Sequence, residues 1–282
     1  MSSRLPRSYL YVPGTDTKRM AKALTTGTDA IMLDLEDAVP AHLKSEATEI
    51  VRRWTAELDG TTPDIWVRVN SGEDGLRDLT DLRDCPNLAG FVLAKADLEQ
   101  VSKALTLVSG SGLQLVPLLE TAAAVLDARQ IAEAGVQHLQ IGEYDLCADV
   151  GITPGDREDE TAWARGMVVF ASRAAGLMPA VAPVSIEIRD ADRFAESTRL
   201  AARQGFVGRA CIHPRQVEVV NEVFTPSAEA VESARETLER FEALDGRAVM
   251  VDDNGRLVDE ATVRFARRTL ALAQASGDRS AQ

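Results

Sequence analysis

Gln114-Leu115-Val116-Pro117-Leu118-Leu119-Glu120-Thr121 is the stretch that decides how the chain folds. Leu115–Leu119 has no polar face, as a parallel strand buried beneath helices requires. A carboxylate, Glu120, stands where the run stops. Thr121 can cap a following helix, since its hydroxyl can accept from an orphan N–H, and periodicity predicts that helix over Ala122–Ala134. Gly135 ends it, because glycine reaches positive φ at little steric cost. The next apolar run, His138–Ile141, then leads through Gly142 to Asp145.

The same unit recurs about every 25 residues, the length of one strand and helix with short loops. Strands are predicted at Ser8–Val12, Ala30–Asp34, Ile65–Val69, Gly90–Ala94, Gln114–Leu118, His138–Ile141, Val181–Ile186 and Arg209–Ile212. Helices are predicted at Thr17–Thr25, Ala41–Leu58, Leu76–Asp84, Asp97–Val108, Ala122–Ala134, Glu158–Ala175 and Asp190–Gln204. Asp97 and Gly176 sit where caps belong. Eight alternating units fit an α/β fold of the TIM (β/α)8 type; an open doubly wound sheet is the alternative.

Residues 1–225 are therefore assigned to a barrel domain and 226–282 to an extension. The extension reads as a helix, Ser227–Leu244, a hairpin over Val249–Val258 with an Asp252-Asp253-Asn254-Gly255 turn signal, and a last helix, Glu260–Ala275. It is too small for its own core and is expected to pack on the barrel or on a neighbouring subunit.

Composition narrows the function. With 45% hydrophobic and 27% charged residues, the chain is neither disordered nor fibrous. Its net charge of −13 argues against nucleic acid or an anionic membrane as a partner, so an anionic ligand needs a local cationic cluster. No window reads as a signal peptide or membrane span. Cys85, Cys147 and Cys211 are odd in number and widely spaced, which points to reduced thiols and a cytoplasmic location. The histidines are also scattered, so any metal is expected to rest on oxygen ligands.

In a TIM barrel the ends of the strands carry the chemistry. Here they carry Pro13-Gly14, Asp34, Glu36, Asp37, Arg68, Asn70, Lys95, Glu120, Glu143, Asp145, Glu187 and His213. Glu120 and Asp145 are expected at the mouth from adjacent strands, where they repel unless a cation or proton lies between them. Mg2+ suits such a pair, with Mn2+ as a second choice; a salt bridge to Arg68 or Lys95 is the other reading. Arg68 can bind a substrate carboxylate or enolate oxygen, pair with Asp34 or Asp37, or do both. Pro13 and Gly14 lead into a helix whose N–H groups, with Lys18 and Arg19, can hold a phosphate. His213 reads equally as a ligand contact or a structural histidine.

Taken together, Arg7 through Gly14, Leu33-Asp34-Leu35-Glu36-Asp37-Ala38-Val39 with Lys44, Val67-Arg68-Val69-Asn70, Pro117 through Thr121, Gly142 through Asp145, and Gly205 through Gly208 leading into Ile212 through Val217 resemble the citrate lyase β-subunit-like family, which includes malyl-CoA and citramalyl-CoA lyases. The resemblance implies a trimeric or hexameric barrel enzyme binding Mg2+ through Glu120 and Asp145. Glu36 and Asp37 would support the metal's water shell, and Arg68 would contact the 2-oxo acid. Gly255 through Asp259 resembles a C-terminal lid segment, whose aspartate reaches an adjacent subunit's site; Asp259 is thus the candidate acid–base residue. The implied reaction is carbon–carbon cleavage or formation of a 3-hydroxyacyl-CoA, with an acyl-CoA and a 2-oxo acid as partners.

Three positions depart from the pattern. Ala182 replaces an aspartate, which bears on acyl recognition. Thr48 replaces an arginine, and Glu143-Tyr144 stands before Asp145 where small or acidic residues are frequent. Alternatives consistent with these changes are an Mg2+-dependent aldolase on free 2-oxo acids, a malyl-CoA thioesterase or malate synthase-like activity, and a carrier-dependent subunit that needs a partner.

Overall fold

A computed structural model of the chain describes residues 6–60, 63–243, 249–251 and 257–280. They divide into two compact units, one over 5–222 and one from 223 onward.

The first unit is a closed barrel of eight parallel strands in sequential order. These are β1 (Ser8–Pro13), β2 (Ala30–Asp34), β3 (Asp64–Val69), β4 (Leu88–Leu93), β5 (Gln114–Leu119), β6 (Gln140–Ile141), β7 (Val181–Ala182) and β8 (Gly208–Cys211), with β8 closing on β1. Around them run α1 (Thr17–Ala23), α2 (Lys44–Ala56), α3 (Gly72–Leu82), α4 (Leu98–Val108), α5 (Ala122–Leu126), α6 (Ala128–Glu133), α7 (Glu143–Val150), α8 (Ala162–Ala174), α9 (Ala191–Gln204) and α10 (Pro214–Val223). The TIM-type expectation therefore holds, and the open sheet is excluded.

Period-two alternation fills the barrel. Tyr9, Met32, Trp66, Val92, Val116, Leu118 and Val181 pack as one buried cluster. Their strand neighbours, such as Leu33, Val67 and Phe91, are fully buried beneath the helices instead. Both faces are dry, which is why the strands read as continuous apolar runs.

The predicted caps are present. Asp97 accepts from Gln100 N–H at 2.8 Å and Thr121 from Ala124 N–H at 3.1 Å, while Gly135 and Gly176 have φ of 103° and 70°. Several boundaries differ. The expected helix Ala122–Ala134 is broken into α5 and α6 at Asp127. The expected strand Val181–Ile186 pairs only over two residues, because Pro183 has no N–H to donate and the chain turns away.

The second unit contains α11 (Ala228–Glu242), β9 (Met250–Val251) paired antiparallel with β10 (Leu257–Val258), and α12 (Glu260–Ser280), which packs along α11. The helix–hairpin–helix reading is met here, although the Asp252–Gly255 turn lies outside the described residues. Among the described residues, no helix is long and apolar enough to cross a membrane.

Candidate active site

The alternation that fills the barrel also builds its mouth. Two residues beyond the cluster members Tyr9, Met32, Trp66 and Leu118 come Tyr11, Asp34, Arg68 and Glu120. These four line one cavity of about 990 Å³ at the C-terminal ends of the strands, together with Pro13, Asp37, Tyr144, Asp145, Val184, Ile212 and His213. Thus residues in the inward register near the C-terminal ends of β1, β2, β3 and β5 face the cavity.

Arg68 is anchored. Asp34 and Arg68 are register partners, and Arg68 Nε and Nη2 each donate to the Asp34 carboxylate at 2.7 Å. Its Nη1 lies 3.2 Å from Glu36 and 3.5 Å from Asp37, and the guanidinium sits 5.1 Å over the Tyr11 ring. The pairing with Asp34 and Asp37 foreseen as one reading is therefore real. It leaves Arg68 on the cavity wall with its fork rigidly oriented, and its acidic partners hold it protonated against the pull of burial.

Lys95 ties the rest of the site together. Its backbone N–H donates to Glu120 Oε1 at 2.6 Å, and its ammonium lies 2.8 Å from Glu36 and 3.3 Å from Asp145. The residue has φ of 47°, a conformation non-glycine residues seldom adopt and here the one that aims the N–H at Glu120. Burial works to raise the Glu36 carboxyl, but Lys95 and Arg68 overrule it and hold it below the usual range. Asp37 moves the other way, raised by burial and by the charge of Glu36.

Glu120 has no such relief. Burial, with the charges of Asp145 and Glu36, pushes its carboxyl up to about 8, against the Lys95 N–H. Space is reserved for it: a Cβ at Gly142 would come within 2.6 Å of Glu120 Oε2. Asp145 Oδ2 is buried without a hydrogen bond, its nearest positive group being the Lys95 ammonium. Among the described residues, no three Asp, Glu, His or Cys side chains are arranged to hold a metal by themselves. The buried Glu120 carboxyl and the Asp145 carboxylate, with open cavity beside them, nevertheless fit Mg2+, which takes one or two carboxylates and keeps water or substrate oxygens.

The other expected site residues divide. Arg19 lines the cavity, whereas Lys18 does not; Lys22 and Arg215, which the sequence reading passed over, do. Gly14 cannot offer a phosphate its N–H, which donates to Asp34 O at 2.8 Å, and a Cβ there would meet the same oxygen at 2.9 Å. The start of α1 already has its anion, since Asp16 accepts from Arg19 N–H and pairs with the Arg19 side chain. The turn is close-packed with a self-supplied cap, so its Gly14 N–H is engaged within the protein, while the Arg19 side chain stays on the cavity wall.

Asn70 is buried behind the wall, its amide donating to Asp78 at 2.7 Å and its carbonyl accepting from Lys44. Thr48 also reaches Asp78. His213 lines the cavity, and its Nδ1 accepts from Arg215 N–H. Ala182 is fully buried opposite Arg209, on the outer face of the barrel rather than on the cavity wall. In the second unit, Asp259 caps α12: its Oδ1 accepts from Thr262 N–H at 2.9 Å, which holds its carboxyl below the usual range.

One network had no sequence signal. Arg165, 1% exposed, forks onto Glu143 and also donates to Glu158 at 2.6 Å. Glu143 opens α7, two residues before Asp145, so the departure at Glu143 is matched by a buried partner.

Comparison with known proteins agrees with this architecture. The family model described as HpcH/HpaI aldolase/citrate lyase matches residues 7–214. Mitochondrial citramalyl-CoA lyase of Mus musculus is 31% identical over 257 residues, covering 83% of this chain and 76% of the relative. A (3S)-malyl-CoA thioesterase of Cereibacter sphaeroides (strain KD131) is 33% identical over 281 residues, covering 95% of each chain. The crystal structure of CitE from Mycobacterium tuberculosis, in complex with magnesium, acetoacetate and coenzyme A, superposes with a TM-score of 0.81 at 29% identity, over 96% of this chain and 99% of that one. An eight-stranded barrel whose strand ends carry Asp34, Arg68, Glu120 and Asp145, matched along most of its length by the family model, places the chain in the HpcH/HpaI aldolase/citrate lyase family.

Proposed function

We propose that the chain is a Mg2+-dependent carbon–carbon lyase that cleaves, or in reverse forms, a 3-hydroxyacyl-CoA such as malyl-CoA or citramalyl-CoA, giving an acyl-CoA and a 2-oxo acid. The observation that carries this reading is the Glu120–Asp145 pair beside Arg68 on one cavity wall, where burial pushes the Glu120 carboxyl up to about 8. The names of the citramalyl-CoA lyase and of the CitE complex with magnesium and coenzyme A support the substrate class and the ion.

Glu120 and Asp145 would hold the ion, with Glu36 and Asp37 orienting water around it. When bound, Mg2+ supplies Lewis-acid charge at the hydroxyl that becomes the 2-oxo carbonyl. Arg68, pinned by Asp34, faces the developing oxyanion with a charge that needs no reorganisation. Arg19, Lys22 and Arg215 set positive charge around the cavity for the anionic thioester carrier. In cleavage the hydroxyl gives up its proton as it becomes the carbonyl, the electron pair of the broken carbon–carbon bond becomes a thioester enolate, and the enolate takes one proton at carbon, so one proton passes from oxygen to carbon overall. Asp259, from the lid of an adjacent copy in a trimer or hexamer, is the residue for that proton. Its lowered pKa leaves it ionised at neutral pH, ready to remove the proton in condensation, and in cleavage it would first take up a proton and then pass it to the enolate carbon.

The thioesterase relative motivates a second reading, in which water hydrolyses the malyl thioester. Incubating the purified chain with malyl-CoA and citramalyl-CoA, with Mg2+ or with EDTA, separates the two. The lyase gives glyoxylate or pyruvate with acetyl-CoA only when Mg2+ is present. Release of free CoA and malate, without 2-oxo acid, would replace the lyase reading by the hydrolytic one.

A further inference from the structure

Tyr11 brings a hydroxyl into the cavity. Its side chain packs on the buried cluster below and lines the cavity above, so the ring is part of the cavity floor. From β1 the phenol reaches Gln140 on β6, although β7 and β8 lie between those strands in the sheet. It therefore crosses the barrel interior instead of following the wall. The Arg68 guanidinium, from β3, sits 5.1 Å over the same ring.

The hydroxyl has one bond made and one to give. Gln140 Nε2 donates to its oxygen at 3.1 Å. A phenol also has a proton to donate, and among the described residues that proton has no acceptor in the protein. Burial pushes the Tyr11 pKa up to about 12, so at neutral pH the group is a hydrogen-bond donor and not a base.

Given the lyase reading above, on which this step rests, Arg68 faces the oxygen that is a hydroxyl in the substrate and a carbonyl in the 2-oxo acid. We infer that Tyr11 is a further catalytic residue, whose hydroxyl donates a second hydrogen bond to that oxygen beside Arg68. The oxygen carries most negative charge once its own proton has left and before the carbon–carbon bond has broken. A donor fixed there by Gln140 favours that stage over the bound substrate, which is the condition for raising kcat. The phenol keeps its proton throughout, so the proton balance of the reaction is unchanged.

Tyr11→Phe tests this, because it keeps the ring, its packing and the Arg68 contact, and removes only the hydroxyl. In cleavage of malyl-CoA and citramalyl-CoA at saturating Mg2+, kcat should fall by about a hundredfold while KM changes by less than about threefold. The Mg2+ concentration for half-maximal rate and the melting temperature should stay with wild type. If the orphaned Gln140 amide prevents folding, Tyr11→Phe with Gln140→Leu removes both partners and should show the same loss of kcat. A kcat within about threefold of wild type, or a change confined to KM, overturns the catalytic role. A loss of kcat that saturating Mg2+ restores overturns it equally, by assigning the hydroxyl to the metal site. Absence of 2-oxo acid product from the wild-type protein overturns the lyase reading and this role together.

Discussion

Lys95 and Glu120 are joined by a 2.6 Å hydrogen bond from the lysine's backbone N–H, while the ammonium of the same residue turns to Glu36 and Asp145. One residue thus orients one carboxylate of the pair and faces the other. Glu120 is held in place by an N–H, while burial favours its protonated form over the carboxylate. A carboxylate kept where burial and two neighbouring anions oppose it is a cost to the folded protein, and such costs concentrate at functional sites.

Glu120→Gln keeps an oxygen for the Lys95 N–H and removes the opposed charge. Its metal-free form should unfold at the same temperature as wild type or higher, with Mg2+-dependent turnover lower by about a thousandfold. Thermal melts in EDTA beside steady-state rates check both halves. A lower melting temperature with retained turnover would show that Glu120 serves the fold instead.

Asp259→Asn separates capping from proton transfer. Asparagine caps a helix about as well as aspartate, so α12 should keep its stability and the variant should melt with wild type. Exchange of the acyl-CoA α-hydrogen with deuterated solvent should fall at least a hundredfold, by analogy with the loss of a general acid–base group. Wild-type exchange in the variant removes the assigned role.

Arg165→Leu leaves Glu143 and Glu158 without their buried partner. Unpaired buried charge is expensive, and a loss of about 3–5 kcal/mol is expected in urea titrations. The double variant with Glu143→Leu should lose less than the sum of the single variants, because one orphaned carboxylate is gone. Strict additivity would deny the pairing.

His138 gives the protein an acid-sensitive stability. It is 2% exposed beside Tyr9 and Trp66, and burial pulls its pKa down to about 3. The unfolded chain takes up this proton near pH 6.5 and the folded chain does not. Its contribution is therefore complete above that pH and is lost as pH falls toward 3, by about 1.4 kcal/mol per unit. Between pH 6.5 and pH 5, His138→Asn should lose about 2 kcal/mol less than wild type. Equal losses contradict the assignment.

The barrel was legible because both faces of its strands are dry, and because Asp34, Arg68 and Glu120 follow their apolar runs in the inward register. What stayed hidden was either local and short or distant in sequence. Strand β7 stops at Pro183, and α7 begins at the site itself directly after the two-residue strand β6, although its acidic first turn was an available helix-start signal. Pro214 at the start of α10 was an available signal, since proline suits the first helical position. The Glu143–Arg165–Glu158 network joins residues that only the packed helices bring together. Gly14 shows the opposite error: the turn was foreseen, but its N–H belongs to β2 and not to a ligand.

The most direct measurement is the initial rate of 2-oxo acid release from malyl-CoA or citramalyl-CoA as a function of Mg2+, for wild type and Asp145→Asn. The account predicts saturable Mg2+ dependence in wild type and its loss, by at least about a hundredfold in kcat/KM, in a variant that remains folded. Release that is independent of Mg2+, or equal in the two proteins, would contradict it.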